Sequence, residues 1–215
     1  MKKIFIDCGT NNGQALDDFN ASHGIADGTW EIHLFEANPN LTNGIKKHIL
    51  EKQKHLNIMF YPRAVVGENA PEEITFQLHK QPEHKLAVGG GSTMIPAEDL
   101  CEHELDGYIP CTVKTVRLAN FIWETCLKYS KEVPTPSGSK AVMMYRDECK
   151  IILKLDIEGG EYEVIDDLIK SGVASWLSEV HVEFHNRRFK EDRRPDEVRL
   201  IGELFQHGVH SFHRK

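Results

Sequence analysis

No long hydrophobic run occurs in this sequence, and no segment approaches the ~18 apolar residues of a membrane span. Met1-Lys2-Lys3 opens like a signal peptide, but the apolar run behind it stops at Ile4-Phe5-Ile6, before Asp7. That is too short for a secretory core. Cysteine is sparse: there are five, an odd number, and no two are spaced as CxxC. Neither a disulfide framework nor a cysteine zinc site is indicated, which points to a reducing, cytoplasmic setting. An excess of positive charge is also missing. The 26 lysines and arginines are outnumbered by 33 acidic residues, for a net charge of −7. General nucleic-acid binders are basic, so this balance argues against a nucleic-acid partner. A local basic patch exists in Arg187, Arg188, Lys190, Arg193 and Arg194, interrupted by Glu191 and Asp192. It reads first as a solvated loop. Internal repeats and low-complexity tracts are absent.

What is present is an α/β pattern in 215 residues, the length of one domain. Lys3 to Cys8 reads as a buried strand and Gln14 to Ser22 as a helix with Ala15, Leu16 and Phe19 on one face. Glu31 to Phe35 is a second strand, Asn38-Pro39-Asn40 opens a second helix, and Asn57 to Tyr61 is a third strand. This βαβαβ order implies parallel strands joined by right-handed crossovers. Farther on, Glu73 to Leu78 and Cys111 to Val116 read as strands and Ala119 to Tyr129 as a helix. Lys131 to Lys140, with Pro134, Pro136 and Gly138, reads as a loop and marks an inserted cap around residues 119–149. Lys150 to Asp156 is an apolar strand, Glu161 to Ser171 a helix and Val180 to Phe184 a strand. Pro195 to His207 is a helix, and Val209 to His213 can close the chain as a last strand.

Open parallel sheets bind ligands at the carboxyl ends of their strands, so the residues just after each strand carry the information. The first end is Asp7-Cys8-Gly9-Thr10-Asn11-Asn12-Gly13. Its glycines permit positive φ and close approach of a ligand, but the third glycine of a dinucleotide fingerprint is lacking. Glu36 lies 23 residues beyond Gly13, at the tip of the second strand, where an acidic side chain accepts hydrogen bonds from ribose hydroxyls. An adenosine-type ligand without a pyrophosphate follows. The third end, Asp156-Ile157-Glu158-Gly159-Gly160-Glu161, places two carboxylates at the crevice and turns sharply into a helix. Glu161 falls in the first helical turn, where negative charge is favourable, so it reads as structural. The fourth end, His181-Val182-Glu183-Phe184-His185, alternates so that His181, Glu183 and His185 share one face. That face suits a general base, a metal site or a polar sheet margin, and no metal is assigned.

These stretches together resemble the FkbM family of S-adenosylmethionine-dependent methyltransferases. The likeness is carried by Phe5-Ile6-Asp7-Cys8-Gly9 through Gly13, Leu34-Phe35-Glu36-Ala37-Asn38-Pro39, Leu153 through Glu161, and Val182-Glu183. Arg63-Ala64-Val65 and Gly91-Ser92-Thr93-Met94 resemble that family's loops. The resemblance implies a Rossmann-like class I methyltransferase fold and methylation of hydroxyl oxygens on sugars or other small molecules. It implies that Asp7, Gly9, Asn11 and Gly13 line the cofactor's methionine part. Glu36 would then hold the ribose, with Asn38, Arg63 and Ala64 near the adenosine, and Ser92 and Glu183 would meet the acceptor. The catalytic candidates are Asp156, His181 and His185 as proton acceptors and Glu158 as an orienting group.

Two other readings stand beside this one. Asp156, Lys154 and Glu183 loosely echo an RNA 2′-O-methyltransferase, although strand alternation is expected to turn Lys154 away from Asp156. A non-catalytic nucleoside-binding module is the other.

Overall fold

The computed structural model describes residues 1–50, 55–80, 91–102, 107–128, 131–134, 140–143 and 149–213. In chain order its strands are β1 (Lys2–Cys8), β2 (Trp30–Phe35), β3 (Asn57–Tyr61), β4 (Ala64–Val66), β5 (Glu73–His79) and β6 (Tyr108–Arg117). They continue with β7 (Lys131–Pro134), β8 (Lys140–Met143), β9 (Cys149–Leu155), β10 (Glu179–Val182) and β11 (His210–His213). The α-helices are α1 (Gln14–His23), α2 (Thr42–Ile45), α3 (Leu118–Leu127), α4 (Glu161–Lys170) and α5 (Arg194–Gln206).

Six strands form one parallel sheet in the order β11-β10-β9-β1-β2-β3. The chain moves outward from β1 to β2 and β3, then returns to lay β9 on the other side of β1. The order therefore reverses between β1 and β9, and a crevice opens at their carboxyl ends. Strand alternation divides the core. Phe5, Ile32, Leu34 and Ile152 face one side and pack with Leu16 and Phe19 of α1. Ile4, Ile6, Ile151 and Leu153 face the other and pack with residues of α3, α4 and α5. Helices thus cover both faces, which is why these strands read as nearly continuous apolar runs. Among the described residues no helix is long and apolar enough to cross a membrane.

Three expectations change. Lys131 to Lys140 is not simply a loop, because β7 and β8 pair antiparallel as a hairpin across it, with residues 135–139 outside the described residues. β7 ends at Pro134. The insertion expected around 119–149 begins with core structure: Ala119, Ile122 and Cys126 of α3 are buried in the larger cluster. In the segment following Asn38 the described residues form the short α2 and a π turn at Lys46–Leu50, while residues 51–54 of the expected helix lie outside the described residues. A small second sheet, β4-β6-β5, lies beyond β3 and carries one wall of the crevice.

α4 shows how the core is held. Val164, Ile165 and Leu168 point inward, and Gly172 follows its end at φ +77°, a conformation suited to glycine. Leu168 is fully buried. Leu168→Ala should cost about 2–5 kcal/mol, seen as a lower urea midpoint with an unchanged slope. A loss under about 1 kcal/mol would mean that the α4 interface collapses around the gap.

Candidate active site

Asp7 and Lys154 are direct neighbours in the β1–β9 ladder. Both are buried, and Lys154 Nζ lies 3.2 Å from Asp7 Oδ1 and 3.2 Å from Asp156 Oδ2. It also donates to the Gly9 carbonyl at 2.8 Å. Burial alone would lower the Lys154 pKa, but Asp7 and Asp156 outweigh it and hold the ammonium above its ordinary value. The expected separation of Lys154 from Asp156 is therefore wrong. Asp156 lies past the last residue of β9, where strand alternation no longer applies, and the long lysine stem reaches it.

The turn after β1 is fixed at several points. The Gly9 and Thr10 amides donate to the Phe35 carbonyl at 3.0 and 2.9 Å. Gly9 has φ +77°, and a Cβ there would lie 1.8 Å from the Asp156 carbonyl oxygen. Gly13 has φ +86° and abuts Ile49. Glu36 accepts the Asn11 amide on one carboxylate oxygen and the Asn38 amide on the other, each at 2.8 Å. Burial pushes Glu36 up from its ordinary pKa, while these amides and Lys154 pull against that rise. Each Glu36 oxygen keeps a second acceptor site.

The turn after β9 is built around a different buried acid. Glu161 is fully buried and accepts the Ile157 and Gly159 amides, both at 2.9 Å. The backbone reverses through Glu158 at φ +58° and Gly159 at φ +117°. A positive φ at a non-glycine residue stores strain that the surroundings must hold in place. The supports are present: Glu158 Oε1 accepts the Gly91 amide, Thr93 donates to the Glu158 carbonyl, and Arg188 Nη2 sits 2.6 Å from Glu158 Oε2. Arg188 is itself buried and bonds the Gly91 carbonyl and the Tyr108 hydroxyl.

Glu161 also holds His185 through Nδ1 at 2.9 Å. The opposite nitrogen, Nε2, faces Glu158 at 3.1 Å, Asp156 at 3.7 Å and Glu183 at 3.8 Å. Burial works to lower the His185 pKa, but Glu161 above all, then Glu158 and Asp156, raise it above its ordinary value.

A cavity open to solvent runs between the two turns. Gly9, Asn11, Glu36, Arg63, Ala64, Ser92, Asp156 and Glu158 line it, all of them sequence candidates. Asp7, Gly13, Asn38, Glu183 and His185 lie outside that lining: Asp7 beside Lys154, Gly13 at the start of α1, Asn38 on Glu36 and Ser92, His185 beside Asp156, and Glu183 beside His185. His181 is placed elsewhere. β10 ends at Val182, so the expected shared face does not extend to Glu183 and His185. The His181 ring packs against Phe19 and Phe212 and bonds Glu179. Sequence reasoning missed the apolar wall of Phe35, Val65, Phe76 and Met94. It also missed the Glu161–His185 pair and the Arg188 clamp. Glycine strain was readable for the turns, whereas those pairings join residues that meet only in three dimensions. The basic patch is largely consumed internally. Arg193 pairs with Asp196 and covers Tyr162, Arg194 pairs with Asp192, and Lys190 bonds the Glu98 carbonyl.

The cavity fits an adenosine-linked sulfonium ligand. Asn11 lines it with its Oδ1 buried and without a hydrogen-bond partner among the described residues, and Glu36 has acceptor sites to spare. The acidic groups at the floor, Asp156 and Glu158, suit a cationic centre.

A family model described as the methyltransferase FkbM domain matches residues 7–208. No curated protein matches the chain. Among solved structures, methyltransferase FkbM from Methylobacillus flagellatus KT is 12% identical with a TM-score of 0.43, over 92% of this chain and 36% of that one. This chain thus spans about a third of that protein's length.

The close packing of the two turns gives a direct test. Gly9→Ala should displace Asp156 and abolish ligand binding even if the chain stays folded, because both the added Cβ and the positive φ are disfavoured. Calorimetric titration with S-adenosylhomocysteine checks this, and wild-type affinity in that variant would contradict the packing described.

Proposed function

From a chain that belongs to the methyltransferase FkbM domain family, we propose an S-adenosylmethionine-dependent methyltransferase acting on a hydroxyl oxygen of a sugar or other small-molecule acceptor. The observation that carries this reading is the meeting of two turns on one cavity. One offers ribose and adenosine contacts through Glu36 and Asn11, and the other offers an acid–histidine group at Asp156, Glu158 and His185. Asp7, Gly9, Asn11 and Gly13 would hold the methionine part, Glu36 the ribose, and Asn38, Arg63 and Ala64 the adenosine side. When bound, the cofactor supplies an electrophilic methyl carbon on a cationic sulfur.

The chain's own groups handle the acceptor proton. A hydroxyl attacking the methyl carbon must lose its proton, and a positioned base assists. Asp156 lines the cavity and meets that hydroxyl first. His185 Nε2, 3.7 Å from Asp156 Oδ1, takes up the proton, and buried Glu161 at Nδ1 stabilises the resulting imidazolium. Glu158, fixed by Arg188 and the Gly91 amide, orients the acceptor, with Ser92 and Glu183 at its margins. Positioning of the reacting groups supplies the remaining rate enhancement.

The RNA reading is weaker on two grounds. Most of the arginine patch is already paired within the fold, and Lys154 is enclosed by Asp7 and Asp156 rather than free to meet a ribose.

Heating with S-adenosylhomocysteine should raise the melting temperature, and heating with NAD should not. Asp156→Ala should keep that stabilisation yet lose about 10²–10⁴-fold in labelled methyl transfer to a panel of sugars and polyols. Unchanged turnover would reject Asp156 as the proton-accepting group.

A pH test isolates His185. Its pKa lies above the ordinary histidine value, so the neutral, proton-accepting form is lost as pH falls through that raised value. The rate should therefore drop on the acid side. Glu161→Gln removes the strongest raising influence, so the acid limb should move to lower pH. A limb that stays in place would separate His185 from the proton path.

A further inference from the structure

The structure leaves His181 outside the proposed catalytic group, and its surroundings suggest a different chemistry. We propose that His23, Glu179 and His181 form a binding site for a zinc-class divalent ion. None of the three lines the methyl-transfer cavity; they meet where the end of α1 packs on β10, with His181 one strand over from Lys154.

His23 is the last residue of α1, and Glu179 is the first residue of β10. They come from positions 156 residues apart in the chain. Glu179 Oε2 lies 2.9 Å from His23 Nε2 and 3.3 Å from His181 Nε2, and the three donor atoms fall within 4.8 Å of one another. Nitrogen and oxygen donors at zinc's usual bond lengths, arranged tetrahedrally, stand about 3.3 Å apart. The donors therefore need only small shifts to close on an ion. Two imidazoles and one carboxylate are also a donor set that zinc takes readily, leaving one position for water.

The rings are held in the required orientation by other contacts. Ser22 Oγ lies 2.7 Å from His23 Nδ1, so Nδ1–H can donate to it while Nε2 keeps its lone pair for a metal. The His181 ring stacks on Phe212 at 4.6 Å and meets Phe19 edge-on at 4.8 Å. Each of the three side chains is about 15% exposed, so an ion can enter from solvent. Lys150 opposes it: Nζ sits 2.8 Å from Glu179 Oε1 and adds like charge beside the site. It engages the other carboxylate oxygen, and its side chain is 31% exposed and able to turn outward. A bound ion would tie the end of α1 to β10, and so brace the helix that begins at the cofactor turn.

The test is calorimetric titration of the full chain with zinc chloride after chelation and buffer exchange. Zinc should bind with a stoichiometry of about one ion per chain. Binding should vanish in His23→Ala and in His181→Ala. It should weaken about tenfold in Ser22→Ala through loss of the supporting hydrogen bond, and tighten in Lys150→Met. His185→Ala should leave it unchanged, which separates this site from the Asp156–Glu158–His185 group. Ser22→Ala and Lys150→Met keep all three ligands, so they remain informative if a ligand variant fails to fold. Failure of the wild type to bind zinc, binding that survives loss of both histidines, or binding lost only in His185→Ala would each overturn the proposal. None of these outcomes depends on methyl transfer.

Discussion

One buried ammonium holds the carboxyl ends of β1 and β9 together. Lys154 contacts Asp7, Asp156 and the Gly9 carbonyl where the strand order reverses. Two carboxylates at the base of one crevice repel each other, and burying them without compensation costs several kcal/mol. A single cation between them removes most of that penalty and sets the spacing of the two turns. Gly9 then lies hard against the Asp156 carbonyl, and the cavity has its floor. The two turns that wall the cavity are thus fixed by the same charge.

Two further buried acids shape the loops themselves. Glu36 gathers the amides of Asn11 and Asn38, and Glu161 gathers those of Ile157 and Gly159. In each case a carboxylate satisfies backbone donors that a strand-to-helix turn would otherwise leave unpaired. Glu161 has a second task, because its remaining contact aims His185. A residue that first-turn position alone explains as structural is therefore also the group that orients the histidine.

The sheet was legible because strands buried on both faces read as apolar runs, as in Ile4-Phe5-Ile6 of β1 and Ile151-Ile152-Leu153 of β9, while β2 sets Glu31 and His33 between apolar residues. Glu36, Asp156 and Glu158 were legible because each follows a strand directly, where position and chemical type speak together. Lys154 was misjudged by extending strand alternation past the end of β9. His181 was misjudged in the same way, with alternation carried past Val182 as if β10 continued. Arg188 was hidden in a charge run, since nothing local distinguishes a buried arginine from its solvated neighbours. The β7–β8 pairing was hidden because prolines and a glycine within the segment read as loop residues.

The two amides on Glu36 have an energetic consequence. They keep the Asp7-to-Gly13 turn in shape from within, through bonds that need no ligand. A molecule entering the cavity meets a surface already formed, so little of its interaction energy goes into ordering the chain. Association at such a site is governed by diffusion and access rather than by loop folding. Glu36 therefore acts as a pin between the turn after β1 and the loop after β2.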